Sequence, residues 1–268
     1  MRDMVKILGT RGSVPCSGAG YARYGGRTTC ILIRLGGQCI VLDAGTGLVT
    51  LPEALAPEER ELSLLLTHPH ADHLLGFPLC RTLYDSAVTV KVYAAVRDGL
   101  DAKAQIGRLM SPPLWPVTPD VMGAKLSFLP LEETLTLGAV TVDTMEGVHP
   151  GGVTLLRIRG GGKRVVFLSD CTLTEQLFPV LTEFAGNCDL LLCDGQYSDA
   201  EWAAHSCFGH SRWTDAARLA AACGAKALRI IHHDPGHTDP ILDAAADTVH
   251  AIFPRGEFAY DGEEVLLP

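Results

Sequence analysis

The sequence predicts an α/β fold in which two sheets pack face to face between outer helices, an αββα sandwich. Three observations predict it. Short apolar runs typical of strands alternate with helical patterns, the runs form two sets, and a proline-rich stretch separates these sets. A chain of 268 residues with 47% hydrophobic content can bury a core of this size. We therefore expect one layered domain over residues 1–268.

The first set of apolar runs predicts one sheet. Strands are expected at residues 4–9, 28–35, 38–45, 62–68 and 88–95, most of them apolar on both faces. Helices are expected at 47–56 and 72–84 on the flank of this sheet. The proline-rich segment 108–123 cannot form a regular element, so we expect an excursion in which Trp115 forms a wall over the active site.

The second set predicts a second sheet with its own helices. Strands are expected at residues 139–145, 152–160, 163–170, 188–195 and 226–233, with a hairpin at the glycines before Lys163. Helices are expected at 173–186, 211–224 and 239–253. Two sheets with helices on one side each pack most economically as a four-layer sandwich.

Composition excludes several classes of function. The formal net charge is -9, from 22 basic and 31 acidic residues, and no Lys/Arg-rich run is present, which weighs against binding of long nucleic acid. No apolar stretch approaches the roughly 18 residues of a membrane span, so we expect a cytoplasmic protein without a membrane partner. The nine cysteines are scattered without a C-x-x-C pair, and most of them are expected to be buried; strand alternation disfavours Cys171 as a metal ligand.

The stretch "THPHADH" carries the strongest chemical signal. His68 and His70 alternate at the end of a predicted strand, and Asp72 and His73 follow in the turn. Three imidazoles and a carboxylate crowded together would repel one another when charged unless a cation compensates them. The pattern therefore predicts a metal site beyond the strand end.

Further candidate ligands follow later strands. His149 follows the strand at 139–145, Asp170 ends the strand at 163–170, and His232 and His233 end the strand at 226–233. Layered α/β folds build their sites at such strand ends. Alternation turns His232 and His233 to opposite sides, so only one of the two is expected to face the site.

The sequence resembles the metallo-β-lactamase fold hydrolases over essentially the whole chain. The motifs that carry the resemblance are "LGTRGSVP", "YGGRTTCILIR", "VLDAGTG", "THPHADH", "GVHPGG", "FLSD", "CDGQYSD", "GHSRWTDAARLA" and "IIHHDP". The similarity is greatest to the phosphodiesterase branch, which includes tRNA 3′-processing endonucleases, cyclic-nucleotide phosphodiesterases and a cyclic-phosphate phosphodiesterase of phosphonate breakdown. A Glu at position 70 would have indicated the diiron branch and a Cys at position 170 a true β-lactamase.

The resemblance implies two divalent metal ions. It places His68, His70 and His149 on one ion, Asp72, His73 and His232 on the other, and Asp170 between them. It favours His232 over His233 as the ligand, and it suggests a homodimer. Carboxylates among imidazoles suit zinc, which we expect, with manganese or iron as alternatives. Asp43 is expected to support the site rather than to bind metal.

The predicted chemistry is hydrolysis of a small phosphodiester, such as a cyclic nucleotide or cyclic phosphate. Two divalent ions about 3.5–4 Å apart share a hydroxide for attack on phosphorus and neutralise the phosphate oxygens. His210 would donate a proton to the departing oxygen, Asp194 would orient His210, and Ser211 would cap the next helix. The predicted catalytic residues are His210, Asp194 and Asp72, whereas His205, His237 and His250 are expected at the surface.

Three alternative functions remain. An RNA endonuclease of the same branch would need a basic, Gly-rich arm, and the chain offers an acidic balance and a proline-rich excursion instead. A thioesterase or lactamase is compatible with the fold, because fold does not fix chemistry. A non-catalytic metal-binding module would lack a proton donor, and His210 argues against it.

Overall fold

The computed structural model describes residues 2–267, which form two seven-stranded mixed sheets and six α-helices. The strands of the first sheet are β1 (Met4–Gly9), β2 (Cys30–Leu35), β3 (Gln38–Leu42), β4 (Glu61–Leu66), β5 (Thr89–Ala94), β6 (Lys125–Pro130) and β14 (Glu264–Leu266). Those of the second are β7 (Thr134–Leu137), β8 (Val140–Gly147), β9 (Val153–Gly160), β10 (Lys163–Leu168), β11 (Leu190–Asp194), β12 (Leu228–Ile231) and β13 (Gly256–Phe258). The helices are α1 (Leu51–Ala54), α2 (Ala102–Leu109), α3 (Leu177–Phe184), α4 (Trp202–His205), α5 (Trp213–Ala222) and α6 (Asp239–Ile252).

Each sheet is antiparallel on one side and parallel on the other. The first has the order β14-β1-β2-β3-β4-β5-β6, and its strands are parallel from β3 to β6. The second has the order β13-β12-β11-β10-β9-β8-β7, and its strands are parallel from β10 to β13. Because β9 is antiparallel to both β8 and β10, the strands β8 and β10 also run in the same direction.

Period-2 alternation along the strands builds three apolar layers, which confirms the αββα sandwich. In β2, Ile31 and Ile33 face the layer between the sheets, whereas Leu32 faces the outer layer that α2 covers. In β10, Phe167 faces the same inner layer, and Val166 faces the outer layer beneath α3, α5 and α6. Strands with apolar residues on both faces are stable only when both faces are covered.

The predicted helix at 72–84 is wrong. The structure has three separate 3-10 turns there, at Ala71–His73, Phe77–Leu79 and Arg81–Tyr84. Pro78 has no N–H to donate and disfavours a helical conformation in the residue before it, so a continuous α-helix cannot run through this segment. The helix predicted at 47–56 is likewise a 3-10 turn, Thr46–Thr50, followed by the single turn α1.

The sequence interpretation missed four strands and two helices. β6, β7, β13, β14, α2 and α4 were not predicted, although the N-cap of α2 is visible in the sequence as Asp101, whose carboxylate accepts the Ala104 N–H. The proline-rich segment begins with the last two residues of α2, Arg108 and Leu109, and is otherwise irregular apart from the 3-10 turn Pro119–Val121. Trp115 packs against the outer apolar layer of the first sheet, and its expected role as a wall over the site stays a prediction.

The parallel strands of both sheets direct their carboxyl ends toward one edge of the sandwich. The two sheets are joined there by backbone hydrogen bonds, from Thr154 N to the Thr67 carbonyl and from Gly12 N to the His233 carbonyl. The loops at this edge carry all the candidate metal ligands. No helix within the described residues is long and apolar enough to cross a membrane.

Candidate metal centre

Three groups of potential ligand atoms lie at the carboxyl edge; two of them share one carboxylate, and the third consists of Asp194, His210 and His232. His68, His70 and His149 form one group with Asp170; Asp72, His73 and His232 form the other with the same Asp170. The ligand atoms within each group lie within 4.8 Å of one another. Those of the two groups that share Asp170 come from the loops after β4, β8, β10 and β12. All seven predicted ligands are thus brought together, and their binding of metal stays a prediction.

Three imidazole nitrogens form one face of the first group. His70 Nδ1 lies 3.0 Å from His68 Nε2 and 3.0 Å from His149 Nε2. Asp170 Oδ2 lies 3.6 Å from His68 Nε2 and 3.9 Å from His149 Nε2. A tetrahedral ion with bonds of about 2.0–2.1 Å to nitrogen requires similar separations between its ligands, so this face suits a zinc-sized cation.

The second group alternates carboxylates with imidazoles. His232 Nε2 lies 3.1 Å from Asp72 Oδ2 and 3.1 Å from Asp170 Oδ2, and His73 Nε2 lies 3.2 Å from Asp170 Oδ1. The backbone N–H of Ser13 donates to Asp72 Oδ2 at 2.7 Å, so the loop after β1 orients this carboxylate.

Asp43 orients two of the candidate ligands from behind. Its Oδ2 accepts from His73 Nδ1 at 2.8 Å, and its carboxylate also accepts from the Thr67 hydroxyl, which lies 3.0 Å from His68 Nδ1. With the Nδ1 protons directed at these acceptors, the Nε2 lone pairs of His68 and His73 face the centre. Carboxylate–histidine pairs of this kind fix the tautomer of metal-ligating histidines.

His149 and His232 are oriented by neutral oxygens. The Gly209 carbonyl lies 2.8 Å from His149 Nδ1, and Gln196 Oε1 lies 2.9 Å from His232 Nδ1. Both rings therefore present Nε2 to the centre. Two glycines allow the backbone to approach these rings, because a Cβ at Gly12 would overlap the His232 ring and one at Gly209 would overlap His149.

The two carboxylates of the second group, Asp72 and Asp170, favour positive charge at the centre. Burial would lower the pKa of His232, but Asp170 and Asp72 raise it to about 10. Burial would likewise raise the pKa of Asp170, yet His232 and His73 hold it well below its usual value. His73 Nε2 is buried without a hydrogen-bond partner and faces two carboxylates. A divalent ion would supply the positive charge that these carboxylates stabilise, so the residues fit a metal site.

His210 lies beside both ligand groups. Its ring stacks on that of His232 at 4.8 Å between centroids and lies 5.1 Å from that of His149. Asp194 Oδ2 lies 3.0 Å from His210 Nδ1, so Nε2 is the nitrogen left for a substrate. The predicted pair is in contact, and its catalytic role stays a prediction.

The structure separates the two adjacent histidines. His232 has a left-handed backbone, with φ +63°, and its ring enters the centre. His233 is fully buried among aromatic rings, with Nε2 2.8 Å from the Ala259 carbonyl, and burial lowers its pKa to about 3. This placement agrees with the choice of His232.

Two other expectations are wrong. Ser211 does not cap α5, because its hydroxyl binds the Cys171 carbonyl and the Leu173 N–H, and Arg212 is the N-cap residue without a side-chain cap. His237 is not at the surface: it is 3% exposed, and its Nε2 lies 2.8 Å from Glu201 Oε1.

Cys171 packs in the outer apolar layer, where burial raises the pKa of its thiol to about 12.

The fold and the paired ligand groups define the chain as a metallo-hydrolase. It belongs to the β-lactamase superfamily, since the family model described as "Beta-lactamase superfamily domain" matches residues 38–233. Ribonuclease Z of Bradyrhizobium sp. (strain ORS 278) is 28% identical over 313 aligned positions, covering 97% of this chain and 98% of that protein.

Two solved structures have the same fold. The metallo-β-lactamase fold protein YhfI from Bacillus subtilis is 20% identical with a TM-score of 0.75, and the match covers 99% of this chain and 100% of that one. A diphosphatase from the PhnP family is 16% identical with a TM-score of 0.67, covering 100% and 99%.

Sequence reasoning missed the residues that act behind the ligands. Thr67 and Gln196 lie inside quoted motifs, but neither residue type is a metal ligand of choice, and Gln196 reaches its ligand, His232, from a different loop. Ser13 contributes only its backbone N–H. The one available signal was adjacency of Thr67 to His68, since residues next to a ligand often orient it.

Metal content provides the first prediction. Protein purified without chelator and supplemented with Zn²⁺ should contain close to two divalent ions per chain by elemental analysis, because the seven ligand side chains form two groups that share Asp170. Dialysis against a chelator should remove both ions. A content of one ion or none after supplementation would contradict the binuclear centre.

Proposed function

We propose that this protein is a metal-dependent phosphodiesterase that hydrolyses a small phosphodiester, such as a cyclic nucleotide or another cyclic phosphate. The observation that carries the proposal is the position of His210, paired with Asp194, directly against His149 and His232. A substrate phosphate at the two ligand groups would therefore have a proton donor beside its departing oxygen.

In the proposed reaction, some residues of the chain hold the metal ions and another donates a proton. Two divalent ions bound at the centre would supply positive charge to the phosphate oxygens and activate water for attack on phosphorus. Asp72, fixed by the Ser13 N–H, and the shared Asp170 would hold the ions at a constant separation. His210 Nδ1 would donate its N–H to the Asp194 carboxylate, and the proton passed to the departing oxygen would be a second one, held on Nε2 of the imidazolium.

The loops around the centre favour a small substrate over RNA. Residues 10–29, 67–76, 148–152, 169–176, 195–212 and 232–238 contain no lysine. All four of their arginines already have partners. Arg11 donates hydrogen bonds to backbone carbonyls. The other three form ion pairs: Arg23 with Asp243, Arg27 with Asp261, and Arg212 with Asp199 and Asp215. Because RNA is held through its phosphates by free cations, such loops offer little grip on a long polyanion.

The comparison with ribonuclease Z supports the same choice. The alignment extends over 313 positions, more than the 268 residues of this chain, so that protein has segments that this chain lacks. The basic, Gly-rich arm that an endonuclease of this branch is expected to need would have to lie in such segments. RNA hydrolysis is therefore the second candidate, favoured only by the relative's name.

Exposed apolar side chains flank the centre and offer a surface for a base. Phe208, which is 52% exposed, contacts His205; His205 stacks on Tyr197 at 4.5 Å, and the Tyr197 ring lies 6.0 Å from that of His210. This series of rings leads from the proton donor to the protein surface. A nucleobase attached to the phosphate would have a ring on which to stack.

A substrate panel tests the proposed function. Protein loaded with Zn²⁺ or Mn²⁺ would be assayed against cyclic nucleotides, a nitrophenyl phosphodiester, a tRNA precursor, a thioester and a β-lactam. We expect hydrolysis of the small phosphodiesters alone. Cleavage of the tRNA precursor with no activity on cyclic nucleotides would support the endonuclease, and turnover of the thioester or lactam alone would reject phosphodiester chemistry.

Phe208→Ala provides the second prediction. If a nucleobase stacks on Phe208, loss of a contact worth about 1–3 kcal/mol should raise KM for a cyclic nucleotide by roughly 5- to 150-fold. The KM of a cyclic phosphate that lacks a base should change little. Tyr260→Ala is the matched control, since Tyr260 is 46% exposed and lies between β13 and β14. Equal changes for both substrates would contradict base stacking.

A further inference from the structure

Gln196 connects the candidate ligand His232 to Asp234. It lies two residues beyond the end of β11, and its side chain is 2% exposed. Its Oε1 lies 2.9 Å from His232 Nδ1, and its Nε2 donates to Asp234 Oδ2 at 2.9 Å. The Tyr197 hydroxyl oxygen accepts a second bond from Nε2 at 3.2 Å. Both ends of the amide are therefore engaged.

Asp234 determines which way this amide faces. A carboxylate can only accept hydrogen bonds, so the amide nitrogen must face Asp234 and the amide oxygen must face His232. The reversed amide would place two oxygens at hydrogen-bond distance without a proton between them and would leave buried polar atoms unsatisfied. With the oxygen facing it, His232 carries a proton on Nδ1 and presents its Nε2 lone pair to Asp72 and Asp170.

The backbone at His232 also needs external support. Its φ of +63° lies in the left-handed region, which a histidine adopts only when surrounding interactions hold it there. The hydrogen bonds from His233 N to the Thr10 carbonyl and from Gly12 N to the His233 carbonyl hold the main chain. Only Gln196 holds the outer nitrogen of the ring, among the described residues.

We propose that Gln196 and Asp234 form a positioning pair that fixes the tautomer and orientation of His232 for the second metal ion. The proposal rests on the metal binding of the proposed function and is independent of the substrate. His73, the other imidazole of this group, hydrogen-bonds directly to the Asp43 carboxylate. His232 hydrogen-bonds instead to the neutral amide of Gln196, which the Asp234 carboxylate orients. Partners of this kind typically change metal affinity 10–100-fold.

The first test removes the acceptor. Gln196→Leu should weaken binding of the second Zn²⁺ by roughly 10–100-fold and leave the first unchanged, measured by titration of metal-free protein in competition with a chromophoric chelator. Gln105→Leu is the matched control. Gln105 is also buried, at 1% exposed, and its amide binds the Ala95 and Leu100 carbonyls beside α2. This control should bind both ions with unchanged affinity.

The second test exchanges the two side-chain types. Gln196→Glu alone brings two carboxylates together, and Asp234→Asn alone allows the amide to reverse, so each should weaken the second ion. In the double variant Gln196→Glu with Asp234→Asn, the glutamate carboxylate again accepts from His232 Nδ1. The asparagine amide donates to the same carboxylate, so the two exchanged side chains are again joined by a hydrogen bond. It should recover most of the lost affinity, which a merely structural role would not produce.

Three results would overturn the positioning pair: unchanged affinity in Gln196→Leu, an equal loss in Gln105→Leu, or a double variant no better than the worse single one. Wild-type protein that binds fewer than two ions would also overturn it. If wild-type protein binds two ions and the variants behave as expected while no phosphodiester is hydrolysed, only the proposed function fails.

Discussion

His232→Ala is expected to leave one divalent ion per chain and to remove nearly all hydrolytic activity. The substitution deletes the Nε2 that lies 3.1 Å from both Asp72 and Asp170, so the second group loses one of its two imidazoles. The second group would then keep only Asp72 and His73 as ligands of its own, because Asp170 is shared with the first group. A two-metal hydrolase needs both ions for attack and for charge neutralisation. Elemental analysis and a phosphodiester assay on the same preparation measure the two effects.

His233→Ala is the control for that experiment. The His233 ring packs against Tyr24 and Phe258 and binds the Ala259 carbonyl, so its loss should lower the free energy of unfolding by roughly 2–5 kcal/mol through a buried cavity. Both ions and most of the activity should remain at temperatures where the variant is folded. If His233→Ala lost an ion and His232→Ala retained two, the assignment of the ligand would be reversed.

His210→Ala is expected to retain both ions and to lose about 10²–10⁴-fold in kcat, the usual contribution of a positioned general acid. His210 faces Asp194 through Nδ1 and forms a third group of potential ligand atoms with Asp194 and His232. Because it lies outside the two groups that share Asp170, we expect the metal content to stay at two ions. The loss should be smaller for a nitrophenyl diester than for a cyclic nucleotide, because a nitrophenolate departs without protonation and an alkoxide does not.

The dependence on the leaving group separates proton donation from phosphate binding. Equal losses for the two substrates would mean that His210 binds phosphate and does not protonate the departing oxygen. His250→Ala is the control, since His250 lies on α6 beside Glu257. Asp194→Asn is a less specific variant, because Asp194 also accepts hydrogen bonds from the backbone N–H groups of Cys171 and Gln196. The NH₂ group of an asparagine at this position would face one of the three groups that donate to Asp194, and that hydrogen bond would be lost.

The sequence by itself determined the layers and the identity of the candidate ligands. Period-2 alternation in β2 and β10 depends on neighbouring residues only, and it predicts which side chains share a face before any contact is known. Packing then decided which face is inner, because both faces of these strands are apolar. The spacing of His68, His70, Asp72 and His73 is equally local. The later ligands were found because each follows an apolar strand, which is again a local pattern.

Local patterns failed where packing between elements decided the outcome. Residues 72–84 look helical by spacing, but the backbone there follows the loop that carries Asp72 and His73 into the centre and breaks at Pro78. β6, β13 and β14 are short edge or near-edge strands whose pairing comes from partners distant in the chain, such as β14 with β1. Their own residues contain too little periodicity to predict this.

Only the tertiary structure decided how the ligands are held. Gln196 meets His232 across 36 positions, and Asp43 meets His73 across 30, through the packing of loops from different strands. The convergence of the ligands depends on the parallel direction of β4, β8, β10 and β12 and on the angle at which two sheets pack. A hydrogen bond between loops leaves no periodic signal in a single sequence, because it constrains one residue at each end and nothing between them.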